Sequence, residues 1–326
     1  MDNERAPMGS ALNRKMSRKG FLKFALTALA LLQAAGIPKR AEGSSKEVYN
    51  GRPKRSAKGD HDIVIAKGED PYNLTMKAVA SMGGMERFVG KGDIVVVKPN
   101  IGWDRSPEQA GNTNPHVIAA LVAMSFNAGA KKVKVFDLTC NDPRRCYANS
   151  GIEKAAREKG AEIFFTDEWD TVKAKFRYDS PMNGWPVLRD ALECDVFINV
   201  PVVKHHGLAG LTLSMKNLMG VCAGNRGLIH QDIGAKLVDL TDFVNPDLTI
   251  MDAYRVLVRN GPTGGDLKDV EYPKTVVAAT DPTLADTYAS ILMKVDPLSI
   301  PNIRIAKERG FGSTDIENAD KLFINV

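Results

Sequence analysis

Residues 202–220 read VVKHHGLAGLTLSMKNLMG and set two histidines, two lysines, a threonine, a serine and an asparagine among apolar residues. The apolar run at 196–203 predicts a buried strand, Gly207 and Gly210 permit a tight turn, and 211–219 has helical composition. A strand that delivers polar side chains to a glycine turn and a helix start is a common way for α/β folds to build a site. This stretch therefore predicts both the fold class and the place of function.

Outward from it the same rhythm repeats. Strands are predicted at 61–66, 93–97, 132–138, 162–166, 248–251 and 275–279, and helices from residue 71, over 114–128, 152–159, 187–193, 233–243 and 282–293. Repeated βα units imply a mainly parallel, doubly wound sheet with helices on both faces. Ligands bind beyond the carboxyl ends of such strands, where Lys98-Pro99-Asn100, Asp137, His205 and Asp252 are expected to lie.

Charge is uneven along the 326 residues. Residues 1–60 hold 13 Lys or Arg against five acids, which leaves 31 cations and 34 anions for the rest. A folded region so close to neutral lacks the basic footprint of a nucleic-acid binder. The basic segment Ser17-Arg18-Lys19-Gly20-Phe21-Leu22-Lys23 precedes an apolar run at 24–36, too short for a membrane span, and is similar to a twin-arginine export signal with Lys19 in the second arginine position. The reading is an export signal at 1–40, a flexible linker at 41–60 and one α/β domain at 61–326. It implies a periplasmic or otherwise exported protein that meets export machinery and keeps no stable membrane span once the signal is removed; an uncleaved N-terminal anchor is the alternative.

Cys140, Cys146, Cys194 and Cys222 form no CxxC, so neither a zinc ribbon nor an iron-sulfur cluster is indicated. Cys140 and Cys146 are spaced to pair across a short loop. The segment ending at Lys216 lacks the Gly-Lys-Ser/Thr end of a Walker loop, and no G-x-S-x-G occurs there. In extended geometry His205 and His206 point to opposite faces, so one of them lines a site, and His206, which begins the glycine turn, is the choice. His206 and His230 together would offer two imidazoles to a transition metal. His116 in a helix first turn reads as a capping or surface residue. Lys216 lies in an apolar segment and either snorkels to solvent or is buried, with a lowered pKa suited to a nucleophile, a base or a covalent cofactor anchor. Asn217 offers hydrogen bonds beside it.

K-P-N at 98–100, N-x-N-P at 112–115, A-G-A-K-K-V at 128–133, the run at 203–220 and G-P-T-G-G at 261–265 resemble the family known as domain of unknown function 362, over roughly residues 60–325. Its members are largely uncharacterised. His206-Gly207-Leu208-Ala209-Gly210, with Thr212 and Lys216, is also similar to the H-x-x-A-G-x-S/T-x-x-x-K segment of nickel-dependent lactate racemases. That resemblance implies a nickel-pincer nucleotide held on Lys216 and a metal-binding His230. The chain departs from the racemases in having Asp137-Leu138-Thr139-Cys140 where they carry a catalytic histidine, and Asn114 where they carry an arginine, which argues against lactate racemisation. The expectation is a metal- or cofactor-dependent enzyme, with redox chemistry one option. Its catalytic residues would be Lys216 and His206, its cofactor contacts Lys98, Asn100, Thr212, Asn217, Gly207 and Gly210, and its metal ligands His206 and His230. The alternative is a non-catalytic binding or cofactor-maturation protein holding a small molecule or metal in the same cleft.

Overall fold

In the computed structural model the chain is described over residues 44–55, 57–165, 170–177 and 179–326; the segment read as an export signal lies outside the described residues. From Ser44 onward the chain forms one unit. It begins with β1 (Ser44–Tyr49), β2 (Ile63–Lys67), α1 (Pro71–Ser81), β3 (Ile94–Pro99), α2 (Pro115–Asn127), β4 (Lys132–Val135), α3 (Pro143–Asn149), α4 (Ile152–Glu158) and β5 (Glu162–Ile163). After β6 (Thr171–Ala174) and β7 (Pro186–Leu188) come β8 (Val196–Val200), β9 (Val202–His206), β10 (Gly210–Thr212), α5 (Ser214–Asn217) and α6 (Ile233–Val244). The chain closes with β11 (Leu248–Leu257), β12 (Val270–Glu271), β13 (Thr275–Ala279), α7 (Pro282–Leu292), α8 (Pro301–Glu308) and β14 (Lys321–Asn325).

Four helices start the same way. Asp70, Asn114, Asp142 and Asp281 each precede a proline and accept a hydrogen bond from a backbone N–H of the first turn. The side chain satisfies one donor that the helix leaves open, and proline occupies a position where its missing N–H costs nothing.

The large sheet runs β14-β2-β13-β11-β8-β3-β4-β5. From β11 to β5 every neighbouring pair is parallel, while β13 runs antiparallel to both β11 and β2. Alternation along β3 shows why helices cover both faces. Val95 and Val97 enter one core with Leu74 of α1 and Leu121 of α2, and Val96 enters another with Leu218 and the α6 residues Leu237 and Leu240. The fold is the expected α/β type, mostly parallel, with strands apolar on both sides.

Three local expectations are corrected. Residues 187–193 form β7 and a single 3-10 turn, because Thr171–Lys173 offers an antiparallel edge to Pro186–Leu188. The run at 196–203 is two strands broken at Pro201, whose carbonyl accepts from Asp252 N. Residues 211–219 are not one helix: 210–212 return as the second arm of a hairpin, and only 214–217 are α-helical before a 3-10 turn. The stretch read as a linker is also tied down from Ser44 on. There β1 pairs with β6, and the Arg52 guanidinium forms a fully buried ion pair with Asp247 at 2.5 Å and donates to the carbonyls of Val244 and Asn245. Its basic composition resembled a solvated tail, but the partner acid lies almost two hundred residues away in sequence.

Candidate functional site

Beyond the carboxyl ends of β3, β4 and β9 lies a cavity of ≈ 590 Å³ whose wall includes Asn100, Lys204, His206, Thr212, Lys216, Asn217, Arg226 and His230. Its floor is polar and closed. Lys98, with no exposed surface, sets Nζ 2.8 Å from Asp137 Oδ1 and donates to Pro99 O at 2.7 Å and Asn217 Oδ1 at 3.3 Å. Burial lowers the Lys98 pKa, and Asp137 opposes the shift. The other Asp137 oxygen accepts from Ile101 N at 2.7 Å. Gly220 makes room for the pair: a Cβ there would fall 1.7 Å from Asp137 Oδ1. Asn217 ties the floor together, donating to Asn199 Oδ1 at 2.9 Å and accepting from Asn100 Nδ2 at 3.1 Å.

The hairpin β9–β10 forms one wall. Its register sets Lys204 opposite Thr212 and His206 opposite Gly210, so Lys204, His206 and Thr212 share the face that lines the cavity, whereas His205 points the other way and accepts from Gly261 N. His206 Nδ1 accepts from Leu208 N at 3.1 Å and Ala209 N at 3.2 Å, which closes the turn. Burial and the charge of Lys216 push the His206 pKa down to about 3, so the ring is neutral. With Nδ1 accepting, its proton resides on Nε2, and the ring presents a donor to the cavity. Gly207 and Gly210 shape this turn, and Gly210 has φ +75°, a left-handed conformation that glycine adopts without strain.

The opposite wall carries Lys216. It is 8% exposed, and its Nζ lies 3.2 Å from His230 Nε2 and 3.4 Å from Met219 Sδ. Among the described residues it has no carboxylate partner within ion-pair distance, and burial lowers its pKa to about 8. Asp286 fixes the short helix that carries it, accepting from Ser214 N at 2.7 Å and Met215 N at 3.3 Å. His230 is partly exposed and its pKa is lowered, first by burial and then by Lys216. The rings of His206 and His230 stack with centroids 5.5 Å apart.

The structure thus brings Asn100, His206, Gly207, Thr212, Lys216, Asn217 and His230 to one cavity; Lys98 lies buried behind its lining residues Asp137 and Asn217, Gly210 serves the turn beside it, and His116 lies on the surface. It does not fit the shared metal site expected of His206 and His230. Imidazole that donates through Nε2 has no lone pair there for a metal, and among the described residues no cluster of three or more His, Cys, Asp or Glu is placed to hold one. The cysteine expectation changes too, because Cys140 and Cys146 are both free thiols.

Sequence reading passed over Lys204. Its Nζ is buried and donates to Gly111 O at 2.6 Å and Asn100 Oδ1 at 3.0 Å. Burial, with the charges of Lys216 and Lys98 adding to it, lowers its pKa to about 7. The i, i+2 relation to His206 was the available signal. Arg226, from the loop before His230, was also missed; it donates to the carbonyls of Leu138 and Thr139 and adds a cation to the wall.

Among known proteins, the chain is 27% identical over 245 residues to the thylakoid-associated protein sll1697 of Synechocystis sp., covering 72% of this chain and 74% of that protein. It is similar to the lactate racemase apoprotein from Thermoanaerobacterium thermosaccharolyticum at 11% identity with a TM-score of 0.45, over 74% of this chain. The chain spans 58% of that structure's length. Residues 95–290, from the second residue of β3 through most of α7 and including every site residue described above, match the family described as Domain of unknown function (DUF362), and the chain belongs to it.

Proposed function

We propose that the protein is an enzyme that binds a small organic anion in this cavity and acts on it through the Lys216–His230 pair. The supporting observation is charge without counter-charge. Lys216 and Arg226 line the wall, and the one carboxylate among the lining residues, Asp137, is already paired with Lys98. A carboxylate or phosphate entering there would gain charge-assisted hydrogen bonds in a site of low dielectric. The Lys216 amine, with a pKa near working pH and an imidazole nitrogen in hydrogen-bond reach, suits proton transfer to or from the bound molecule. The same amine is the candidate anchor for a covalent organic cofactor, with His230 beside it.

Protein purified from its native host provides the test, by intact mass, metal analysis and titration with oxalate and inorganic phosphate. The reading expects anion binding that Lys216→Met weakens, and either a turned-over ligand or an adduct mapped to Lys216. A clean mass with no anion affinity would sink it. An anion held stoichiometrically and returned unchanged would favour a binding protein.

Export of the protein is part of the proposal. It rests on the basic and apolar pattern of residues 1–40 and on the thylakoid association named for the Synechocystis relative. Among the described residues no helix is long and apolar enough to cross a membrane. Cell fractionation with N-terminal sequencing of the mature chain tests it, and a cytoplasmic protein with an intact N-terminus would refute it.

A further inference from the structure

We propose that Lys204 is a carbonyl-capturing amine, and that the organic anion this cavity takes carries an aldehyde or ketone group which condenses with Lys204 Nζ. The inference rests on the anion-binding reading above and adds to it a substrate class and a covalent step.

The three buried lysines of the site differ in their partners. Lys98 has Asp137, whose charge opposes the lowering of its pKa by burial. Lys216 has an imidazole nitrogen and a thioether. Lys204 has two neutral oxygens, Asn100 Oδ1 and Gly111 O, and among the described residues no further hydrogen-bond acceptor and no ion-pair partner. A neutral amine has two N–H groups, which these two acceptors satisfy, and a lone pair left over. Among the described residues no carboxylate stands within ion-pair distance of Lys204, so nothing adjacent offsets the desolvation of its charged form. The surroundings therefore favour the nucleophilic form, in the manner of lysines activated by desolvation and neighbouring cations.

The rest of the hairpin face suits the intermediate that attack would form. Thr212, directly across the ladder from Lys204, has a buried hydroxyl oxygen with no partner, and His206, two residues along the strand, offers an N–H. These are the groups that the oxygen of a carbinolamine would need. In the step itself the Nζ lone pair forms a bond to the carbonyl carbon, and the carbonyl oxygen takes up a proton. That oxygen then leaves as water with a hydrogen from nitrogen. The balance is one amine, one carbonyl compound and one proton giving one iminium ion and one water, with no oxidant or reductant. Lys216 and Arg226 remain to hold the anionic end of the same molecule.

The test is reductive trapping. Protein is incubated with glyoxylate, pyruvate or, as an uncharged control, acetaldehyde, in the presence of sodium cyanoborohydride, then read by intact mass and peptide mapping. The expected result is one adduct per chain, mapped to Lys204 and formed about tenfold faster from the carboxylate-bearing probes, the gain of one charge-assisted hydrogen bond of about 1.4 kcal/mol. Lys204→Arg should abolish the adduct; if that variant does not fold, the map on the wild-type chain decides alone. An adduct on Lys216, adducts scattered over surface lysines, or equal rates with acetaldehyde would overturn the inference. If no adduct forms while oxalate still binds, the inference fails and the anion-binding reading stands. If oxalate does not bind either, both fail.

Discussion

Replacing Asp137 by Asn should cost about 3–5 kcal/mol of stability at pH 7, the usual price of leaving one member of a buried pair alone. In the wild-type protein Lys98 is fully buried and Asp137 Oδ1 is its counter-charge at 2.8 Å. The substituted amide can keep an oxygen for Ile101 N, which Asp137 Oδ2 now serves. That leaves the NH2 group facing the Lys98 ammonium, donor against donor. Lys98 can relieve the conflict by losing its proton, and this caps the cost: neutralising a lysine of ordinary pKa, about 10.4, at pH 7 takes about 4–5 kcal/mol. In the variant the folded state binds fewer protons than the unfolded state over the range between the depressed Lys98 pKa and about 10, so stability rises with pH by up to about 1.4 kcal/mol per unit. The deficit against wild type should therefore shrink with pH until the wild-type Lys98 pKa, itself lowered by burial, is reached. Urea denaturation followed by circular dichroism at pH 7, 8 and 9 measures both effects, and Asp137→Asn combined with Lys98→Met should recover part of the loss. A deficit below about 1 kcal/mol that is flat with pH would refute the argument.

Two further outcomes rest on buried partners. Arg52→Met strips Asp247 of its counter-charge and should lower stability by about 3–5 kcal/mol in a urea titration; an unchanged midpoint would mean that the segment before β2 does not hold the fold. Asp286→Ala leaves Ser214 N and Met215 N unsatisfied at about 1–3 kcal/mol each, and should slacken the turn that aims Lys216. Asp286→Asn tests the pH side: burial pushes the Asp286 pKa up to about 7, so the native state binds the extra proton and the stability this contributes is lost as pH rises from about 4 through about 7. The Asn variant should flatten that slope, seen as thermal midpoints at pH 5 and pH 7.5; an identical slope in both proteins would count against the assignment.

Much of the architecture was legible because it rests on local rules. Apolar runs such as Val95-Val96-Val97 read as strands buried on both faces, and Asp or Asn before proline marked three helix starts, at 70, 114 and 281, while the one at Asp142 was passed over. Candidate residues His206 and Lys216 also stood out, since imidazole and ammonium groups in apolar surroundings are conspicuous in a one-dimensional string. Where local rules mislead, the cause is identifiable. Leu211 to Met219 has helical composition, but the register that sets Gly210 opposite His206 draws 210–212 into a ladder instead. Residues 44–60 look like a solvated linker until Asp247 is seen to neutralise Arg52.

By itself, then, the amino-acid order determined the α/β class, three of the proline-led helix starts and a stretch that lines the candidate cavity. Three things were left to the tertiary structure: the tautomer of His206, which removes it as a metal ligand; the pairing of Lys98 with Asp137; and the isolation of Lys204 between two neutral oxygens. Each depends on which backbone groups and charges arrive from elsewhere in the chain. Burial makes those arrivals decisive, because in a low-dielectric interior a lysine is an ammonium or an amine according to its few nearest atoms.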